Sequence, residues 1–210
     1  MPVPVVYRKS GEGAIASYNF YDIGAGIGYK TFYGMDLVEV STDKYALSPE
    51  VLSPLVGYTY SGQGGTLDLD FDLSIQIPLI LKGNCLINVP IGCEVPSLQD
   101  LTIPVTIKLY KVSGGVETQL GGTVTKSIIL LAVNTGANKH KILAGRIIVP
   151  TTLFKSGDTI RISVATAACG ANNRSVIYHD PTNSTANLYP GDGSTSSISL
   201  LVDLPFRIDL

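Results

Sequence analysis

Charge is scarce in this sequence: Asp, Glu, Lys and Arg make up 15% of the 210 residues, where about 25% is usual for a globular chain. A chain with so few charges must bury much of its surface or rest it against partners. The net charge is only −2 and no run of Lys or Arg occurs, which argues against a nucleic-acid backbone as partner. Long apolar runs are missing too. The longest, residues 128–133, falls far short of the roughly 18 residues needed for a membrane span. Helix signals are sparse: only Ser48-Pro49-Glu50, stopped by Pro54, suggests a single turn. Cysteine is limited to Cys85, Cys93 and Cys169, an odd and widely spaced set that fits neither a disulfide framework nor a zinc site. Buried free thiols are expected, with pairing of Cys85 and Cys93 across a hairpin as the alternative. The opening Met1-Pro2-Val3-Pro4 has no charged stretch leading into an apolar one. No secretory leader is therefore expected, and the chain stays in the cell or leaves it by lysis or within a particle.

Period-two alternation is abundant. Leu67, Leu69, Phe71, Leu73, Ile75 and Ile77 alternate with Asp68, Asp70, Asp72, Ser74 and Gln76. Successive strand side chains point to opposite faces, so this segment predicts a strand with one buried and one wet face. Ile198, Leu200, Val202, Leu204, Phe206, Ile208 and Leu210 repeat the pattern at the other end. Pro205 there lacks an N–H donor and predicts an edge or a bulge. Val105, Ile107 and Leu109, then Ser113-Gly114-Gly115 and a return over 116–120, predict a hairpin. Further strands are predicted over 123–133, 141–149 and 159–165, with 150–158 connecting the last two and Phe154-Lys155-Ser156-Gly157-Asp158 as the turn. The Ser-, Thr-, Asn- and Gly-rich stretch 183–197 reads as an exposed loop. The 22 Gly and 12 Pro punctuate short strands. The expected fold is all-β: an antiparallel β-sandwich, jelly-roll-like, with little or no helix. Alternation is weaker at the start, so residues 1–35 are read as an arm or edge element and 36–210 as the sandwich domain.

Candidate chemistry is thin. Gly24-Ala25-Gly26-Ile27-Gly28 has the spacing G-x-G-x-G rather than G-x-G-x-x-G, and strand-forming Tyr29-Lys30-Thr31-Phe32-Tyr33 follows where a helix is needed. A tight glycine turn or bulge is the better reading. Asp68, Asp70 and Asp72 share one strand face. They could serve calcium with Asp192, but a solvated face neutralised by Lys or Arg from a neighbouring strand or subunit is more economical. His179-Asp180 and His140 are the histidine candidates, and neither sits with a recognisable nucleophile motif. No catalytic, cofactor-binding or metal residues are assigned, and a non-enzyme is expected. Asn173-Arg174-Ser175 and Asn183-Ser184-Thr185 match the glycosylation sequon by chance on this reading. The 11 tyrosines crowd the first third, with Tyr18, Tyr21, Tyr29, Tyr33, Tyr58 and Tyr60. They are either ordinary half-buried strand residues or a binding surface.

The segment from Tyr21-Asp22-Ile23-Gly24 to Phe32-Tyr33-Gly34 resembles an opening block of uncharacterised structural proteins of tailed phages and related environmental viruses. Leu81-Lys82-Gly83-Asn84-Cys85 through Val89-Pro90, the ending Leu204-Pro205-Phe206-Arg207-Ile208-Asp209-Leu210, Ile107-Lys108-Leu109-Tyr110-Lys111-Val112 with Glu117-Thr118, and His179-Asp180-Pro181 are similar to the same group. The resemblance implies a virion component: a capsid-surface decoration or minor capsid protein, assembled as an oligomer beside other virion proteins, the major capsid protein foremost. Tyr21, Tyr29, Phe32 and Tyr33 are the expected interface, reached by strand addition or apolar docking. A carbohydrate- or receptor-binding sandwich, with a glycan as partner, is the alternative.

Overall fold

The computed structural model describes residues 27–37, 45–50, 58–94, 100–130, 139–179, 185–187, 195–197 and 199–207. Among these residues there is no helix. The strands are β1 (Ile27–Asp36), β2 (Tyr45–Ser48), β3 (Tyr58–Tyr60), β4 (Leu67–Ser74), β5 (Leu79–Glu94), β6 (Leu101–Ser113), β7 (Val116–Gln119), β8 (Val124–Leu130), β9 (Lys139–Phe154), β10 (Thr159–Thr166), β11 (Arg174–Tyr178), β12 (Thr185–Asn187), β13 (Thr195–Ser197) and β14 (Leu201–Arg207). Twelve of them form one continuous sheet in the order β3-β11-β5-β14-β1-β2-β4-β10-β6-β7, with β9 on β5 and β8 on β6. Pairing is antiparallel except at a single parallel contact, Ala46 with Asp72, where β2 meets β4. There the sheet turns over on itself. One layer holds β9, β5, β14 and β1, the other β4, β10, β6 and β8, and their inward side chains make one core. Neighbours distant in sequence, such as β14 between β1 and β5, are the crossing connections of a jelly-roll-like sandwich.

The core follows from the alternation. Leu69 and Phe71 of β4, Ile107 and Leu109 of β6, and Ile160, Ile162 and Val164 of β10 face inward from one layer. Ile87 and Val89 of β5, Ile147 of β9 and Val202 and Leu204 of β14 meet them from the other. Each such side chain contributes about 1.5–3 kcal/mol by leaving water. The two layers approach closely at Gly34, where a Cβ would lie 2.6 Å from Leu200 Cδ2 and 3.1 Å from Phe71 Cε1.

The predicted hairpin forms as β6 and β7, turning through Gly114 and Gly115 at φ 55° and 81°, a left-handed pair that glycine adopts at little cost. The 154–158 turn also forms: Asp158 Oδ2 accepts the Lys155 N–H at 2.8 Å and pairs with Lys111 at 2.9 Å. The Lys155 N–H, then Ser113 and Lys111, hold the Asp158 carboxyl down at about 2. Pro205 sits where the β14–β5 register shifts between Asp203 and Phe206, as a residue without an N–H should.

Several expectations need correction. β4 ends at Ser74, and Ile77 is 77% exposed instead of buried, because alternation continues in the sequence after strand pairing has stopped. β9 runs through Pro150 to Phe154, so 150–154 is strand and not connection; a register shift opposite Leu81 and Gly83 accommodates the proline. Short pairs β12 and β13 interrupt the 183–197 stretch read as loop. Most of the proposed arm, 1–26, lies outside the described residues. The described remainder falls in β1, which is flanked by β14 and β2. Of the predicted helical turn, Ser48 closes β2 and Glu50 N–H donates to Ser48 Oγ at 3.1 Å; residues 51–55 lie outside the described residues.

Candidate functional site

The register of β9, β5, β14 and β1 builds a broad outward face. Directly opposed residues on antiparallel strands share a side of the sheet. One row therefore runs Ala144, Asn88, Leu201, Tyr33, and the next Arg146, Leu86, Asp203, Thr31. Ile148 and Asn84 flank them on one side, Ile142 and Pro90 on the other. This face should be polar if it met only water. Instead Leu86, Ile142 and Ile148 are 41%, 57% and 64% exposed, and Tyr29, Tyr33 and Leu201 are half-buried along it. Thr31 donates to Asp203 Oδ1 at 2.5 Å. Arg146 stands exposed among the apolar residues with no ion pair among the described residues.

Of the expected interface residues, Tyr29 and Tyr33 lie on this face. Phe32, one residue out of phase, points into the core and is not available there. Tyr21 lies outside the described residues. Sequence reasoning missed Leu86, Ile142, Ile148 and Arg146. The signal was an apolar residue in the polar phase of β5 and β9, and it could have been found by comparing the two phases. At the β9 edge, Lys126 Nζ donates to the Ala144 carbonyl and Lys111 Nζ to the Leu153 carbonyl, each at 2.7 Å. Lysines placed over a strand edge disfavour its pairing with other chains.

The outer face of the second layer is charged. β10 lies between β4 and β6, which sets Arg161 beside Asp72 and Tyr110, and Ser163 beside Asp70 and Lys108. Arg161 forks onto Asp72 through Nε at 2.7 Å and Nη2 at 2.6 Å. Its Nη1 reaches Asp70 at 3.3 Å and Glu117 at 2.5 Å. The cation expected from a neighbouring strand is thus Arg161. Asp72, before the other contacts, holds this guanidinium above its usual range, and burial raises the Asp70 carboxyl against the pull of Arg161. A cleft of about 160 Å³ lies here, lined by Asp68, Asp70, Lys108, Tyr110, Glu117 and Ser163 among others. Asp192 lies outside the described residues.

His179 is fully buried. Its Nε2 is 3.0 Å from Thr59 Oγ1, which is 3.0 Å from the Tyr45 hydroxyl. The imidazole packs against the rings of Tyr45 and Phe71, and Nδ1 has no hydrogen-bond partner among the described residues. Burial pushes its pKa down to about 4, so it is neutral at pH 7. The relay ties β2, β3 and the end of β11 together. Asp180 lies outside the described residues, and of His140 only its backbone place in β9, opposite Gly92, is described. Tyr58 and Tyr60 pack with Tyr178 across β3 and β11, an ordinary aromatic cluster. Asn173 of the first sequon is buried, its Nδ2 donating to the Cys169 carbonyl at 3.0 Å. Gly28 lies within β1, so a strand and not a helix follows the glycine run. Cys85 faces the core, where burial, then Asp203, pushes its thiol up to about 12. Cys85 and Cys93 lie on the same strand, about 26 Å apart at about 3.3 Å per residue, which rules out their pairing.

No protein-family model and no curated protein matches this sequence. Among solved structures, a CocE/NonD family hydrolase from Staphylococcus aureus is 10% identical over 86% of this chain and 37% of its own, with a TM-score of 0.48. An alpha-amino acid ester hydrolase is 11% identical over 86% of this chain and 36% of its own, at 0.45. The infectious bursal disease virus VP2 subviral particle is 16% identical over 87% and 37%, at 0.28. The chain thus spans little more than a third of the hydrolases it resembles. The expectation of a non-enzyme is corrected by these matches, since the architectures it resembles include those of hydrolases. Likeness at this level assigns no reaction to this chain.

Proposed function

We propose that this chain is a structural component of a virus particle, a β-sandwich that docks on neighbouring virion proteins through the outer face of β9, β5, β14 and β1. The observation that carries the reading is that face itself: Leu86, Ile142 and Ile148 exposed around an Arg146 with no ion pair among the described residues. A sheet surface of this kind gains by being covered. Tyr29 and Tyr33 suit an interface because they offer large, rigid amphipathic area. The sequence resemblance to phage structural proteins favours a particle as the setting, with the major capsid protein or further copies of this chain as neighbours. The lysine-covered edge of β9 favours face-on docking over strand addition. Mass spectrometry of purified particles tests the setting, and particle incorporation of Leu86→Asp against the native chain tests the face. Native chain found in particles and the variant outcompeted support the reading; particles lacking the chain overturn it.

A glycan is the second reading, favoured by the polar cleft lined by Asp70, Lys108 and Tyr110. Binding on a glycan array that is lost in Tyr110→Ala supports it; a blank array counts against it.

A further inference from the structure

We propose that Cys93 and Cys169 are an oxidisable pair that closes into a disulfide when the folded chain meets a peroxide, fastening β5 to the β10–β11 connection. Cys93 is buried on β5, and its register partner on β11 is Ser175. Cys169 lies in the connection, two residues beyond Ala167, whose carbonyl accepts from Ser175 Oγ; it shares the core cluster with Cys93, and Cys93 and Ser175 are the side chains that act on its thiol. The two thiols are therefore neighbours in the fold although distant in sequence. The connection is pinned on both sides of Cys169. Asn173 Nδ2 donates to the Cys169 carbonyl at 3.0 Å, Asn173 N–H to the Gly170 carbonyl at 3.2 Å, and Ser175 Oγ to the Ala167 carbonyl at 3.2 Å.

The two members differ in role. Cys169 is 5% exposed and Cys93 is fully enclosed, so a small oxidant reaches Cys169 first. The Cys93 contact, ahead of Ser175, lowers the Cys169 thiol from its ordinary range, and the thiolate is the nucleophile. Its sulfur attacks one oxygen of hydrogen peroxide, the O–O bond breaks, and hydroxide leaves to take a proton as water. The product is a sulfenic acid at Cys169. Cys93 then loses its proton and attacks that sulfur, the S–O bond breaks, and a second water departs. Two thiols and one peroxide become one disulfide and two waters. Cys85 has no part in this, being buried elsewhere on β5 with its thiol held protonated.

The test uses the full chain, folded, with hydrogen peroxide, followed by blocking of remaining thiols in denaturant and peptide mapping without reduction. The expected result is a linked Cys93–Cys169 peptide pair, two hydrogen masses lighter than its reduced parts, with Cys85 recovered as a blocked thiol. Closing the loop should raise the thermal midpoint by roughly 10 °C, reversed by dithiothreitol. Cys85→Ala should keep the link and the shift, and Cys169→Ser should lose both. Recovery of Cys93 and Cys169 as free thiols after peroxide, or of Cys169 as sulfinic acid beside a free Cys93, overturns the proposal. The peptide map of the native chain decides even where a variant does not fold. None of these outcomes depends on which face docks.

Discussion

Acidification should weaken this protein through His179. The imidazole is fully buried against Tyr45 and Phe71, with Nδ1 lacking a partner among the described residues. Burial lowers its pKa from 6.5 to about 4. The unfolded chain therefore binds a proton below pH 6.5 that the folded chain refuses until about pH 4. Stability is complete above the unfolded value, declines as pH falls through this window, and levels off below it. At about 1.36 kcal/mol per pK unit, the loss is about 2 kcal/mol at pH 5 and about 3 kcal/mol at pH 4. Urea unfolding at several pH values, native against His179→Gln, isolates the effect, because Gln can still hydrogen-bond Thr59 but does not titrate. The curves should converge as pH falls from 7 to 5. Parallel curves, or an imidazole titrating near 6.5 in the folded chain once His140 has been assigned, would refute the reasoning.

Arg161→Met leaves Asp70, Asp72 and Glu117 facing one another without their guanidinium. It should cost about 2 kcal/mol in urea unfolding at pH 7, less as the carboxylates protonate; a change under about 0.5 kcal/mol would match an indifferent surface site. Gly34→Ala drives a Cβ to 2.6 Å from Leu200 Cδ2 and 2.9 Å from its Cβ, and should lower stability by about 1–3 kcal/mol. An unchanged thermal midpoint would contradict that packing. Lys126→Ala uncovers the Ala144 carbonyl on the β9 edge and should raise aggregation by light scattering; an unchanged scattering profile would mean the edge is guarded otherwise.

The fold was legible wherever one strand face is dry and the other wet. β4 with Leu67, Leu69 and Phe71, β14 with Val202 and Leu204, and β10 with Ile160 and Ile162 declare themselves by period two. β5 does not: Lys82-Gly83-Asn84 breaks its start, and Leu86 fills its polar phase, so the strand that joins β9, β14 and β11 was not recognised as such. The face proposed for docking was hidden for that same reason. Its apolar residues sit on separate strands whose register only the fold supplies, and the sequence offered Tyr29 and Tyr33 but also Phe32, which is core. Arg161 was anticipated as a kind of residue, a cation from a neighbouring strand, but not as a position. The burial of His179 and the meeting of Cys93 with Cys169 are tertiary facts with no local signature.

An electron cryo-microscopy map of purified particles tests the docking claim most directly. It should show this sandwich seated in the particle with Leu86, Arg146 and Ile148 covered by a neighbouring chain and the Asp68–Asp70 cleft open to solvent. A sandwich bound with those three residues bare, or particles without it, would contradict the account.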